Sequence, residues 1–131
     1  MNRPIELPSR GTMVRRAAAK HCPVCGQRHL FHAWFRLRER CPRCGLKFVR
    51  EEGHRIGDLG LNTAVSFGAL LITLIVFALV TWPELPAGPA IATAVAVAVV
   101  VPLVFYPWSR TLWLAFDLMI NPLREGELRS A

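Results

Sequence analysis

A small β-ribbon held by four cysteines, then an α-helical two-span hairpin, then a short C-terminal amphipathic helix is the fold class this sequence predicts. Three observations predict it. All four cysteines lie in two nearly identical units, CPVCG at 22–26 and CPRCG at 41–45. Two charge-free apolar runs follow, at 61–82 and 90–108. Charge is divided between the halves: residues 1–58 hold thirteen of the sixteen Lys and Arg against five acids, a balance of +8, whereas residues 59–131 hold three against four. A chain of 131 residues has room for one small domain and little more. Its 53% apolar content beside a formal charge of +7 therefore describes a basic head joined to an apolar tail.

Residues 1–19 read as a basic N-terminal segment, with no apolar stretch of signal-peptide length, so no cleaved secretory signal is expected. The ribbon covers 20–50. Its spacing is Cys22-x2-Cys25, fifteen residues, then Cys41-x2-Cys44, which matches a four-cysteine zinc site. Two residues between cysteines let one tight turn aim both sulfurs at the same ion, and two such turns complete a tetrahedron. Pro23 and Pro42 set the turn backbone, and Gly26 and Gly45 stand where a positive φ is expected. Cys22, Cys25, Cys41 and Cys44 are thus the expected metal ligands and Zn2+ the expected structural cofactor. Iron in a rubredoxin-like site, or unmetallated redox thiols, are the weaker readings. His21, His29, His32 and His54 are expected as surface or packing residues rather than ligands.

Between the knuckles, QRHLFHAWFRLRER is rich in aromatic and branched residues and reads as two short strands or one hairpin. A piece this small buries too little apolar area to fold alone, so the metal is expected to supply much of its stability. A four-thiolate site has no open coordination position, which points to structure and away from metal catalysis. Thiol pairs of this kind belong in a reducing compartment.

Residues 51–60 read as a linker, with Glu51 and Glu52 on it. The run at 61–82 has no charge across 22 positions, about 33 Å of helix, enough to cross a hydrocarbon core. PELPAGP at 83–89 is an external turn. The alanine- and valine-rich run at 90–108 is a second span, because a lone strand in lipid would leave its backbone unpaired. Pro102 is expected to kink it, and Trp82, Tyr106 and Trp108 are interfacial aromatics. Small residues at Gly60, Ala64 and Gly68, and at Ala90, Ala94 and Ala98, recur every fourth position and permit close helix contact. Chance spacing in alanine-rich runs explains them nearly as well.

The turn carries no Lys or Arg, whereas Lys47, Arg50 and Arg55 precede the first span and Arg110 and Arg124 follow the second. The positive-inside rule then places both termini and the ribbon of this multi-pass chain in the cytoplasm. After Ser109 as N-cap, residues 109–121 read as an amphipathic helix at the cytoplasmic interface, or else as an extension of the second span. Leu112, Trp113, Phe116, Met119 and Ile120 form its expected apolar face, with Arg110 and Asp117 opposite. Pro122 ends it, and 122–131 is a tail.

CPVCG, the aromatic–basic spacer, CPRCGLKF, the linker REEGHRIGDLG, two spans and the tail YPWSRTLWLAFDLM together resemble a family of small bacterial membrane proteins, domain of unknown function 983, over roughly residues 20–120. The resemblance implies a cytoplasmic zinc ribbon on a helical hairpin, with no established activity. The presence of some members near respiratory oxidase genes implies an assembly or accessory role. Where that family runs Gly-Asp-Gly-Pro into its first span, this chain has Gly57-Asp58-Leu59-Gly60, so only the four cysteines carry over firmly and the Gly-Asp pair stands as a helix-start signal.

The function expected is an adaptor, accessory subunit or assembly factor of a larger inner-membrane complex. Its expected partners are an integral membrane protein complex and anionic lipid head groups. A nucleic-acid-binding ribbon using Arg36, Arg38, Arg40 and Arg43 beside Phe31, Trp34 and Phe35 is the first alternative. It is the weaker one, since positive-inside topology already accounts for the arginines. A thiol redox protein is the second. No Gly-rich phosphate loop, nucleophile with a base, or paired carboxylates suggest an enzyme.

Overall fold

The computed structural model describes residues 7–49 and 54–123, with nothing described of the His54 side chain. Arg50, Glu51, Glu52, Arg124 and the rest of the tail lie outside the described residues. In chain order the elements are α1 (Arg10–Ala18), β1 (Phe31–Ala33), β2 (Arg36–Leu37), α2 (His54–Thr81) and α3 (Ala87–Ile120). They fall into two units, one of Met1–Asp58 with Pro107–Ala131 and one of Leu59–Tyr106.

The first unit contains the ribbon. β1 and β2 pair antiparallel, Phe31 with Leu37 and Ala33 with Arg36, with a bulge on β1. Trp34 and Phe35 sit between them at the exposed tip. Arg38 N–H donates to Leu30 O, Phe48 N–H donates to Glu39 O, and Arg40 bridges Lys47, so the returning chain closes a second, smaller loop around Cys41 and Cys44. Ribbon, N-terminal helix and the last turns of α3 share one core: Met13 and Ala17, then Cys22, Leu30, Cys41, Leu46 and Phe48, then Leu114, Ala115 and Leu118.

α1 is a helix where the sequence suggested only a basic segment. Ser9 caps it, accepting from Thr12 N–H at 3.4 Å. At its other end Lys20 N–H donates to Ala17 O and His21 N–H to Arg16 O, the double bond of a left-handed helix stop. Two α3 side chains complete the cap: Thr111 Oγ1 donates to Ala17 O at 2.9 Å and Trp108 Nε1 to Ala18 O at 3.0 Å. Carbonyls that a helix end leaves without partners are thereby satisfied from a helix about ninety residues away.

Lys20 occupies the left-handed position at φ 59°, where glycine is usual. Its ammonium lies 4.4 Å from the ring centroid of Trp108 and 5.2 Å from that of Trp34, and the two rings meet edge to face at 6.3 Å. The cation–π contact offsets the backbone cost. We expect Lys20→Ala to lower the stability of the ribbon by about 1–2 kcal/mol through the lost attraction, the backbone strain being common to both chains. Lys20→Gly, which relieves the strain, should fall between Lys20→Ala and the native chain in thermal unfolding followed by near-ultraviolet circular dichroism. Equal midpoints for Lys20→Ala and the native chain would count against this role.

The second unit carries the two apolar stretches, and both helices are long and apolar enough to cross a membrane. Neither apolar window has any buried residue; Phe67, Ile72, Ile75, Leu79, Ile91 and Val95 stand exposed. The hydroxyls of Ser66, Thr73 and Thr81 donate back to Asn62 O, Ala69 O and Phe77 O at 2.7 Å. Such back-bonding supplies the partner an apolar solvent would not. Nothing lies within 4 Å of a Cβ built at Gly60 or Gly68, so neither glycine serves close approach within the described chain.

Three boundaries differ from expectation. Helix α2 begins at His54, so residues 54–60 are helical rather than linker, the glycines there being tolerated at the start of a 28-residue helix. Helix α3 begins at Ala87, which shortens the turn expected at 83–89 and leaves Pro89 in the first helical turn, where its missing N–H costs nothing. At the other end α3 passes through Pro102 and Pro107 and continues to Ile120, so residues 109–120 extend the second apolar helix instead of forming a separate one. The face expected to be apolar is corrected too. Ser109, Thr111, Leu114, Ala115 and Leu118 are buried, while Phe116 and Ile120 are exposed. Core packing against α1 and the ribbon selected the row spaced 111, 114, 115, 118, which a nearly all-apolar segment does not single out by itself.

Candidate metal centre

Each knuckle is a tight turn dictated by its CPxCG sequence. In the first, Gly26 N–H donates to Cys22 O at 2.8 Å and Cys22 N–H to Gln27 O at 2.9 Å; in the second, Gly45 N–H donates to Cys41 O at 3.0 Å and Cys41 N–H to Leu46 O at 2.9 Å. Gly26 and Gly45 take φ of 75° and 74°, the left-handed region expected of them. The repeat in sequence is therefore a repeat in geometry. Arg16, from α1, locks the first knuckle by donating from its guanidinium to Val24 O at 2.6 Å and to Pro23 O at 3.4 Å.

The four cysteines come together as free thiols, with all four sulfurs within 4.8 Å of one another. Cys22 Sγ lies 3.7 Å from Cys44 Sγ, and Cys25 Sγ lies 3.5 Å from Cys41 Sγ. These separations are far too long for a disulfide bond. A tetrahedral ion with metal–sulfur bonds near 2.3 Å requires sulfur–sulfur edges of about 3.8 Å. The cluster fits a metal ion. Cys22 and Cys41, the first of each pair, are buried in the core, and Cys25 and Cys44 are half-buried. His21, His29 and His32 are not in the cluster.

The thiols differ in acidity. Hydrogen bonding from Cys22, assisted by the backbone N–H of Leu46, pulls Cys44 down to about 5. Cys22 is pushed well above the ordinary thiol range by retaining the shared proton for Cys44 and by burial. Burial also raises Cys25. Of the pair it makes with Cys22, Cys44 thus gives up its proton more readily, and protons leave as an ion is bound.

Sequence reasoning missed three pairings elsewhere in the ribbon unit. Asp58, 5% exposed, accepts from Arg110 Nε at 3.2 Å and ties the start of α2 to the end of α3. Beside it, a Cβ at Gly57 would run into the indole of Trp113. The Gly-Asp pair is accordingly a helix-to-helix lock inside α2, not the helix start expected of it, since α2 begins at His54. A glycine followed by an acid after a basic ribbon was the only available sign of it. The third is Lys20 on its two tryptophans. The arginines expected to serve a nucleic-acid-binding ribbon do not all line one pocket: Arg36 and Arg38 line one with Arg55 and Arg110, Arg40 and Arg43 are not in its lining, and Phe31 packs against the core.

Comparison with curated proteins and with solved structures finds no match to this chain. A family model does match, over residues 31–117, which takes in Cys41 and Cys44, the hairpin, both apolar helices and the α3 extension, and begins after the first knuckle. With two thirds of its length matched, and with the four cysteines clustered ahead of two apolar helices, the chain belongs to the family described as protein of unknown function (DUF983).

Proposed function

We propose that this protein is a membrane-anchored zinc-ribbon adaptor, an accessory subunit or assembly factor of a larger bacterial inner-membrane complex, with no catalytic role of its own. The observation that carries the proposal is the composition of the ribbon core. The thiol cluster shares it with Leu114, Ala115 and Leu118, on the same helix as the second apolar stretch. A closed four-thiolate site built this way holds a surface in place rather than opening a reaction centre. The exposed apolar helices call for lipid or a partner's helices as their surroundings. Zinc is the ion we assign, because a redox-inert tetrahedral ion suits a structural site in a reducing cytoplasm. Lys47, Arg55 and Arg110 flank the spans on one side and support a cytoplasmic ribbon with both termini inside.

The proposal predicts that the full chain, solubilised from native membranes in mild detergent, migrates with an integral membrane protein complex and carries one zinc per chain. Purification at native expression followed by identification of the co-migrating proteins tests it. Repeated recovery of the chain by itself would refute the accessory role.

A further inference from the structure

The ribbon unit contains a cavity of about 500 Å³ whose lining includes four arginines from three elements. Arg36 comes from β2 and Arg38 from just after it, Arg55 from the first turn of α2, and Arg110 from α3. Glu39 is the lining acid among the described residues. Among the described residues only Arg110 has a carboxylate partner, Asp58. Arg38 Nε is buried with no acceptor. Gathering guanidinium groups this way costs free energy through mutual repulsion, and at Arg38 Nε also through lost hydration of a buried donor, Arg36 and Arg55 being exposed. A phosphate group removes both costs, since its oxygens accept from several planar guanidinium forks at once.

We infer that this pocket is a phosphate site, filled in the membrane by the phosphate of an anionic lipid headgroup. The lipid assignment rests on the membrane-anchor reading; the phosphate chemistry does not. Two observations favour lipid over a soluble phosphate. Arg55 precedes Leu59, where the apolar unit begins, by four residues, and Arg110 follows Tyr106, where it ends, by four. Each arginine is therefore about one helical turn, about 6 Å along its own helix, from an apolar stretch, the depth at which head groups lie. Phe35 lines the pocket and, with Trp34 next to it at the hairpin tip, is half exposed, and aromatic rings of this kind settle at head-group level. RNA is the poorer occupant: Phe31 is packed into the core and Arg40 and Arg43 do not reach the pocket, so no stacking platform accompanies the charge.

The test uses the full, zinc-loaded chain in neutral detergent, titrated with short-chain phosphatidylglycerol and read by Trp fluorescence and native mass spectrometry. Parallel arms use phosphatidylcholine, inorganic phosphate and an RNA oligomer. We expect saturable phosphatidylglycerol binding that Arg38→Gln and Arg55→Gln each weaken about tenfold, the loss of one charge-assisted donor set. Arg28→Gln, an exposed arginine outside the pocket, should leave it unchanged. Arg36→Gln, on an exposed position, serves as a second pocket variant if Arg38→Gln loses zinc or melts early. Equal loss on Arg28→Gln, equal binding of phosphatidylcholine, or displacement of the lipid by RNA overturns the site. Tight binding of inorganic phosphate with no preference for phosphatidylglycerol overturns the lipid assignment. Membrane fractionation of the native chain is scored separately: a chain extracted without detergent sinks the anchor reading, whereas a membrane-integral chain indifferent to Arg38→Gln and Arg55→Gln sinks only the pocket.

Discussion

Replacing Cys41 with serine is expected to abolish stoichiometric metal binding and unfold the ribbon while leaving both apolar helices intact. Cys41 is 3% exposed, and its sulfur sits 3.5 Å from that of Cys25 inside the core. Serine removes one of four ligands and puts a hydroxyl where the core offers none of the softness that a thiolate gave the ion. For a structural zinc site the binding free energy is largely folding free energy, on the order of 10–16 kcal/mol at neutral pH. The ribbon contributes only two short strands of its own, and the small core it shares with α1 and α3 itself includes Cys22 and Cys41, so losing the ion undermines both. Metal content and hydrogen exchange check the outcome together. Amides of residues 22–48 should lose protection, and with them those of α1, whose Met13 and Ala17 lie in the same core. Amides of the apolar helices should not, because their bonds are made within each helix. A Cys41→Ser chain that retained one ion per molecule and native exchange in the ribbon would contradict a four-thiolate site.

Gly57→Ala and Gly60→Ala, three residues apart on the same helix, are expected to act in opposite directions. Glycine inside a helix ordinarily costs up to about 1 kcal/mol relative to alanine, and nothing lies within 4 Å of a Cβ at Gly60. Gly60→Ala should therefore be neutral or stabilising. At Gly57 the added carbon would overlap the Trp113 indole, so either the ring or the helix start must move. Overpacking of this kind costs about 1–3 kcal/mol, more than the propensity gain. The displacement would also strain the Asp58–Arg110 pair next to it. Thermal unfolding of both single variants, with Gly57→Ala/Trp113→Leu as the compensating double, measures the effect. Recovery in the double assigns the cost to the ring. A Gly57→Ala chain as stable as Gly60→Ala would show that the close approach is not used.

The metal centre was legible because its chemistry is local. Pro23, Gly26, Pro42 and Gly45 shape turns that bring each pair of sulfurs together with no help from distant residues, and the twin units then share one ion's geometry. The apolar helices were legible for a related reason, since unbroken charge-free runs leave the backbone no alternative that pairs its own polar groups. Helix α1 was not. Its sequence, RGTMVRRAA, shows no apolar stripe, and only Met13 and Ala17 face the core. Its stability comes from carbonyls capped by Thr111 and Trp108, side chains from the other end of the chain. For residues 109–120 the sequence left a separate helix and an extension of the second span both open, and the face it favoured was wrong for the converse reason: with apolar side chains almost all round, periodicity could not choose one.

Sequence alone thus determined which atoms could bind an ion and which segments could cross a membrane, because both depend on spacing and composition within a few dozen residues. Tertiary structure alone decided that α1, the ribbon and the end of α3 share a core, that Asp58 meets Arg110, and that Arg36, Arg38, Arg55 and Arg110 converge on one cavity. Those juxtapositions join residues up to about a hundred positions apart, and no local preference encodes them. They form because burying Leu114, Ala115 and Leu118 against Met13, Ala17 and the ribbon removes apolar surface from water in a way no shorter segment could achieve by itself.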